Sequence, residues 1–348
     1  MSKLSSIFSD QLAKLNFPAI SQQLVRDASD RPLLSTLAVL GSLWAARTAY
    51  SIWDFMWLHF LRRSQLDRYQ GTQENPAWAL VTGGSDGIGH GFAEELLSRG
   101  FNVVLHGRSQ VKLEGVKNAL LKEWPQREIR LVIIDAAKLD GLDDKLQSAA
   151  KSLQDINLKV LINNVGGDGG VAPLFTPLQE KPASDISKFL CVNSHFPTAI
   201  TRVFLPQLIR NEPTLIMNIG SGVSEIAGPY ISIYSGAKSY NKAWSRSMAA
   251  ELKLQGYDIE VLCIMVGLVA TNSTQDRKPG GAIASSRGMA ASSLNAVGCG
   301  RYDIWAYWPH ALQFAILLHL LPTKFVNNFG AKIVQKERDM EIARLKQS

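Results

Sequence analysis

Two periodicities alternate along this chain: short apolar runs of strand length, and longer stretches whose apolar positions recur three to five residues apart, as on one helix face. The first run, Ala77 to Val81, ends abruptly in Thr82-Gly83-Gly84-Ser85-Asp86-Gly87-Ile88-Gly89, after which Ile88, Phe92, Leu96 and Leu97 mark a helix. Phe101 to His106 predicts a second strand, and Val111 to Trp124 a second helix with Leu113, Val116, Leu120 and Leu121 inward. Ile129 to Ile134 follows as a strand, Leu142 to Leu153 as a helix and Leu158 to Ile162 as a fourth strand. Beyond a glycine-rich loop from Gly166 to Pro182, the pattern gives a long helix from about Ala183 to Leu208, a strand at Thr214 to Ile219, a helix from Tyr234 to Leu254 and a strand at Ile259 to Met265. Strands and helices alternating at this rhythm predict an α/β fold, a doubly wound parallel sheet with right-handed crossovers.

The flanks differ. Residues 1–31 are mixed and polar, with no compact apolar stretch near Met1, so no cleaved leader is expected. Pro32 to Leu61 is apolar, interrupted by Arg47 and Asp54, and is long enough to cross a hydrocarbon core of ~30 Å at about 20 residues. It is expected to be a membrane-anchor helix, with packing on the catalytic domain as the alternative. Residues 62–76 form a connector, 77–300 the catalytic domain, and 301–348 an apolar helix with a basic tail. Within these, Gly267 to Arg287 turns polar and small, as a mobile segment over a site would. Trp305 to Leu321 is short for a span and reads as an interfacial or substrate-lining helix, or as a core helix closing the domain.

Composition narrows the function classes. With 46% hydrophobic and 19% charged residues the chain can bury a core, and disorder is not expected. Three dispersed cysteines, Cys191, Cys263 and Cys299, supply neither a zinc spacing nor a disulfide framework, so no metal site is expected and a reducing compartment fits. The net charge of +7 does not point to nucleic acid, because acids are interspersed and no aromatic-basic module appears. The basic residues instead cluster after apolar runs: Arg62, Arg63 and Arg68 after the first, Lys324, Lys332, Lys336, Arg338, Arg344 and Lys346 after the second. Both placements suit the cytosolic face of a membrane.

The chemistry is carried by two stretches. In the first, Gly83, Gly87 and Gly89 lie between a buried strand and a helix N-terminus, where free N–H groups and partial positive charge make a seat for a pyrophosphate. In the second, Tyr234 and Lys238 share a helix face, and Ser221 closes the fifth strand thirteen residues before Tyr234. An ammonium near a phenol favours phenolate, so Tyr234 can act as general acid or base at an oxygen that the Ser221 hydroxyl positions. The end of the second strand carries no carboxylate for ribose hydroxyls. Arg108 there can pair with a 2′-phosphate, which favours NADPH over NADH.

Taken in order, Thr82-Gly83-x-x-x-Gly87-Ile88-Gly89, Asn163-Asn164-Val165-Gly166, Ser221 and Tyr234-x-x-x-Lys238 resemble the short-chain dehydrogenase/reductase family over residues 77 to about 271. The resemblance implies a Rossmann-type sheet and a catalytic set of Ser221, Tyr234, Lys238 and Asn193, the last completing a proton relay. It implies that Lys238 bonds the nicotinamide ribose and Asp135 the adenine, although Asp135 serves equally as a helix cap. The full cofactor set is Gly83, Ser85, Asp86, Gly87, Ile88, Gly89, Arg108, Asp135, Asn163, Tyr234, Lys238 and Val269, holding NADPH/NADP+. One departure stands out: family members often carry Pro-Gly where this chain has Val266-Gly267. The N-terminal apolar segment, Phe60-Leu61-Arg62-Arg63, Val269-Ala270-Thr271 and the Tyr307-to-Leu312 run are similar to the membrane-bound 17β-hydroxysteroid dehydrogenase/very-long-chain 3-oxoacyl-CoA reductase group. That group implies an enzyme of the endoplasmic reticulum membrane facing the cytosol, reducing a lipid-like ketone. A 3-oxoacyl-CoA in fatty-acid elongation is the leading substrate and a steroid or specialised metabolite the alternative. A homo-oligomer or elongation-enzyme partners are compatible with this, and the competing class is a non-catalytic NADP(H)-binding scaffold.

Overall fold

The computed structural model describes residues 31–167, 170–171, 173–271 and 277–346. The polar N-terminal segment, part of the Gly166-to-Pro182 loop and the middle of the Gly267-to-Arg287 segment therefore lie outside the described residues, apart from their described ends. The chain divides into two units, residues 1–62 and 63–348.

In the first unit, Pro32–Met56 forms helix α1, entered through a proline in its first turn and followed by a single π-helical turn, Trp57–Leu61. No α1 residue is buried, and Leu33, Trp44 and Tyr50 are 72%, 70% and 69% exposed. The expected helix forms, and no helix among the described residues is long and apolar enough to cross a membrane. Arg47 and Asp54, with Ser35, Thr36, Ser42 and Thr48, dilute the apolar run.

The second unit is organised by strand β1 (Ala77–Thr82), all six residues of which are buried. Glycine turn and helix α2 (Gly87–Ser98) return the chain to β2 (Asn102–Gly107); α3 (Gln110–Glu123) leads to β3 (Ile129–Ile133) and α4 (Leu142–Ser152) to β4 (Asn157–Asn163). The long helix predicted after β4 is broken. Helix α5 (Ala183–Leu190), one π-helical turn (Cys191–His195) and α6 (Phe196–Arg210) share its length before β5 (Thr214–Ile219). Helix α7 (Ser232–Leu254) then reaches β6 (Ile259–Ile264), and a short pair, β7 (Val269–Ala270) with β8 (Ala284–Ser285), frames the Gly267-to-Arg287 segment. After α8 (Ser286–Asn295) come β9 (Asp303–Ile304), α9 (Trp308–Ala315), a π-helical turn (Ile316–Leu320) and α10 (Thr323–Leu345).

The main sheet has seven strands in the order β3-β2-β1-β4-β5-β6-β9, with every neighbouring pair parallel. The order reverses between β1 and β4, and in such sheets ligands lie beyond the strand C-termini at that switch point. Helices cover both faces, which is why the strands read as apolar runs without alternation. On one face Leu146, Phe196, Ile200, Phe204 and Leu252, from α4, α6 and α7, close over Leu80, Val104, Leu161 and Ile216. On the other, α2 lies against α8. There a Cβ on Gly91 would stand 2.6 Å from the Ser286 carbonyl oxygen, so the third glycine of Gly87-x-Gly89-x-Gly91 is fixed by helix packing.

Candidate active site

The turn after β1 is shaped by contacts that leave no room for side chains. Gly83 and Gly87 take positive φ, +66° and +53°. A Cβ on Gly89 would stand 2.1 Å from the Gly83 carbonyl oxygen, so the turn closes on itself only with glycine there. Asp86 caps α2 by accepting from the Gly87 N–H at 2.7 Å, and its other oxygen receives Lys112 Nζ of α3, also at 2.7 Å. Thr82 locks the turn to β4: its hydroxyl donates to the Ile162 carbonyl at 3.1 Å and accepts the Asn164 and Val165 N–H groups at 2.8 and 3.0 Å. From beneath, buried His106 accepts the Gly83 N–H at Nδ1 over 3.4 Å and stacks on Phe196 with ring centroids 4.8 Å apart. Burial pushes its pKa down to about 4.

Across the switch point, one cleft of about 420 Å³ brings the two chemical stretches together. Gly83, Asp86, Gly87 and Ile88 line one side, Ser221, Tyr234 and Lys238 the other, with Val266 to Val269 between. Ser221 follows β5 by two residues and caps the short turn Gly222–Ser224, accepting the Val223 N–H at 3.4 Å. Lys238 is 4% exposed, sits with Nζ 5.9 Å from the Tyr234 ring centroid and donates to the Ile219 carbonyl at 2.9 Å. Burial lowers its pKa to about 8. Asn193 occupies the π-helical turn between α5 and α6. That insertion frees its side chain to accept the Gly167 N–H at 3.0 Å and to donate to the Gly167 and Phe189 carbonyls at 2.8 and 3.0 Å. A Cβ on Gly166 would lie 3.0 Å from Asn193 Oδ1 and 3.1 Å from Lys238 Nζ, so the two side chains converge on that glycine.

Not every expected cofactor residue faces the cleft. The Asn163 side chain points into the core, donating to Thr201 and Asn218 at 2.8 Å each, and its neighbour Asn164 lines the cleft instead. One residue along a strand reverses the face, and the Asn-Asn pair offers no clue to which is which. Asp135 accepts the Ala137 N–H at 3.1 Å within the turn after β3; it caps no helix, because α4 starts only at Leu142 with Gly141 as its N-cap. Arg108 is exposed at the end of β2, where a Cβ on Gly170 would stand 3.3 Å from its guanidinium. Ser85 borders an adjoining hollow with Asp86, Gly87 and Arg277. Lys112 stands outside the motifs that mark the site; its place in the first turn of α3, with Nζ on Asp86 of the glycine turn, is the signal that carries it.

The Val266-Gly267 departure has a structural counterpart. The Gly222 N–H donates to the Val266 carbonyl at 2.8 Å, and the Gly267 N–H donates to His310 Nδ1 at 3.2 Å. Nδ1 must therefore be unprotonated. Nε2 carries the hydrogen, shared between the Leu268 and Ala282 carbonyls at 3.1 and 3.0 Å. A Cβ on Gly267 would meet the imidazole at 2.7 Å, so residue 267 is glycine because the His310 ring occupies that space.

A sequence-family profile for short chain dehydrogenase matches residues 77–281. The chain belongs to the short-chain dehydrogenase family. Its sequence is 30% identical over 323 residues to a very-long-chain 3-oxoacyl-CoA reductase of Podospora anserina, covering 91% of this chain and 90% of that one. It is 33% identical over 249 residues to the enzyme of that name from Scheffersomyces stipitis, covering 68% and 70%. Among solved structures, the fold is similar to that of a 7β-hydroxysteroid dehydrogenase, with TM-score 0.64 and 17% identity over 74% of this chain and 98% of the other. It is also similar to a short-chain dehydrogenase from Sphingobium yanoikuyae in complex with NADPH, with TM-score 0.56 and 23% identity over 69% and 93%. Family membership makes the chain an oxidoreductase of this class.

Proposed function

We propose that this protein is an NADPH-dependent reductase of 3-oxoacyl-CoA thioesters in fatty-acid elongation. The observation that carries the reading is the single cleft in which the glycine turn faces Ser221, Tyr234 and Lys238. The turn fits a dinucleotide: Gly89 admits no Cβ, Gly83 and Gly87 hold left-handed backbone, and the α2 N-terminus opens toward the cleft. Gly83, Asp86, Gly87, Ile88 and Asn164 would hold the pyrophosphate and nicotinamide side, and Arg108 with Lys112 the 2′-phosphate. When bound there, NADPH supplies the hydride. Ser221 orients the keto oxygen, Tyr234 delivers a proton to that oxygen as it gains negative charge, and Lys238 keeps a cation beside the phenol. Asn193 holds the Gly167 backbone next to Lys238, the side from which the proton is replaced. The very-long-chain reductases that align over most of this chain support the substrate class.

The protein would work at the cytosolic face of the endoplasmic reticulum membrane. What supports this is the exposed apolar surface of α1, with Arg62 and Arg63 following it, which suits contact with an anionic membrane surface.

Tyr234→Phe should lower kcat by roughly 10²- to 10⁴-fold, the worth of a general acid, while NADPH binding followed by its fluorescence persists. Equal turnover in both proteins removes Tyr234 from the mechanism. Nucleotide binding without reduction of any 3-oxoacyl-CoA or 17-ketosteroid by wild type would favour the scaffold class, and preference for the steroid would move the substrate assignment.

A further inference from the structure

A second cavity, of about 140 Å³, adjoins the cofactor cleft and shares Ser221, Val266, Gly267 and Leu268 with it. Ser221 and Gly222 form its inner end, and the walls come from the C-terminal hairpin: Phe314 of α9, then Val326, Phe329 and Ile333 of α10. These α10 positions, with Gly330 and Val334, fall three and four apart and so form one face of that helix. The lining is almost wholly apolar, whereas the adjoining cofactor cleft carries Asp86, Asn164, Tyr234, Lys238 and Arg277. Its geometry is set tightly at the inner end. A Cβ on Gly222 would stand 2.3 Å from Phe314 Cζ, and that ring is held by stacking on Trp305 at 3.8 Å between centroids. At the outer end the walls reach solvent: Phe329 is 42% exposed and Ile333 39%.

We infer that this slot binds the hydrocarbon chain of the substrate, from the carbons beside the keto group outward, and that α10 sets how strongly chain length is rewarded. The inference rests on the 3-oxoacyl reading above, and it adds where the chain goes. The keto carbon of a 3-oxoacyl-CoA carries two arms: the thioester arm ends in the anionic CoA, which an almost wholly apolar slot excludes, so the arm that enters the slot from Ser221 is the alkyl chain. The nucleotide, a separate molecule, takes the cleft with the glycine turn and Lys238. A slot of this volume houses only the first stretch of a long chain. The remainder passes between Phe329 and Ile333 to the surface, so long chains are admitted and methylenes beyond the exit add little.

The test is a chain-length series. For wild type, kcat/KM on 3-oxoacyl-CoA substrates from four to eighteen carbons should rise by about fourfold per added methylene while the slot fills, the worth of burying a CH₂, and then level off. Ile333→Trp, which fills the outer end, should lower the ratio of kcat/KM for sixteen over four carbons at least tenfold. Ile333→Phe provides a milder version should the larger ring compromise folding, and NADPH fluorescence reports whether either protein is folded. Inhibition by saturated acyl-CoAs reads the slot without turnover, and the Ki should follow the same rise and plateau. A flat chain-length profile in a wild type that does reduce 3-oxoacyl-CoA, or an unchanged ratio in both folded variants, overturns the slot and leaves the activity standing. Failure to reduce a 3-oxoacyl-CoA of any length overturns the activity and the slot together.

Discussion

At the scale of single residues, two histidines outside the catalytic set hold the backbone of the cleft, and each is neutral for the same reason. Burial lowers the pKa of both His106 and His310, and each offers an unprotonated Nδ1 to a glycine N–H, that of Gly83 or Gly267. For His106 the consequence can be signed. Its folded-state pKa of about 4 lies below the ordinary 6.5, so between those values the unfolded chain binds the extra proton. Stability from this group is therefore complete above pH 6.5 and is lost as pH falls toward 4, by up to about 3 kcal/mol. Urea midpoints for wild type and His106→Asn should diverge at neutral pH and converge toward pH 4, because asparagine keeps an acceptor without titrating. Parallel curves would remove His106 from the acid limb. His310→Ala should raise the Kd for NADPH several-fold, since it frees Gly267, Leu268 and Ala282 at once, whereas His310→Asn should restore part of the loss. An unchanged Kd in the alanine variant would show that the loop holds its shape without the ring.

At the scale of elements, the sequence made the sheet legible and left its edges dark. The six strands from β1 to β6 are mainly apolar runs, and their periodicity differs so sharply from the helices that both kinds declare themselves. Strand β9 does not: two residues, Asp303 and Ile304, pair with Cys263 and Ile264, too few to show a pattern. Helix α10 shows in the sequence only as a basic tail, because among its 23 residues just Val326, Gly330 and Val334 are buried. One narrow stripe with a glycine at its centre gives almost no apolar signal. The break between α5 and α6 was equally hidden, since a π-helical turn keeps helical spacing while shifting the face by one residue, yet the kink around Asn193 is what aims that side chain. The site followed the same rule: Ser221, Tyr234, Lys238 and the glycines were legible because their chemistry fixes type and spacing. Lys112 and His310 depend on distant elements meeting, which no local pattern records. The connector before β1 shows another such meeting. Tyr69 donates to Glu260 of β6 at 2.8 Å, and the other Glu260 oxygen accepts the Gly298 N–H, also at 2.8 Å. Burial and that carboxylate together raise the Tyr69 pKa, keeping the phenol a donor. Tyr69→Phe leaves an oxygen of the half-buried Glu260 short of a partner and should cost about 1–3 kcal/mol in urea unfolding with the m-value unchanged. A loss below a few tenths would mean that water replaces the phenol.

At the scale of the whole molecule, the division at residue 62 separates two kinds of surface. All seven strands of the main sheet, both walls of the cofactor cleft and the slot beside Ser221 belong to residues 63–348. Residues 32–56 contribute a helix that buries none of its side chains. A helix with that much apolar surface in water gains nothing from the hydrophobic effect until something covers it, so its free-energy contribution is expected at a bilayer surface and not in folding. A chain beginning at Arg63 should accordingly unfold within about 3 °C of the full-length protein and bind NADPH with the same Kd, because a domain of this size moves by ~2–4 °C per kcal/mol. The same truncation should release most of the protein from anionic vesicles in a flotation gradient. Loss of folding or of nucleotide binding would mean that the first helix serves the core after all, and undiminished flotation would move the membrane contact to the exposed apolar residues of the C-terminal hairpin, Leu312, Ile316, Leu320 and Phe325 among them.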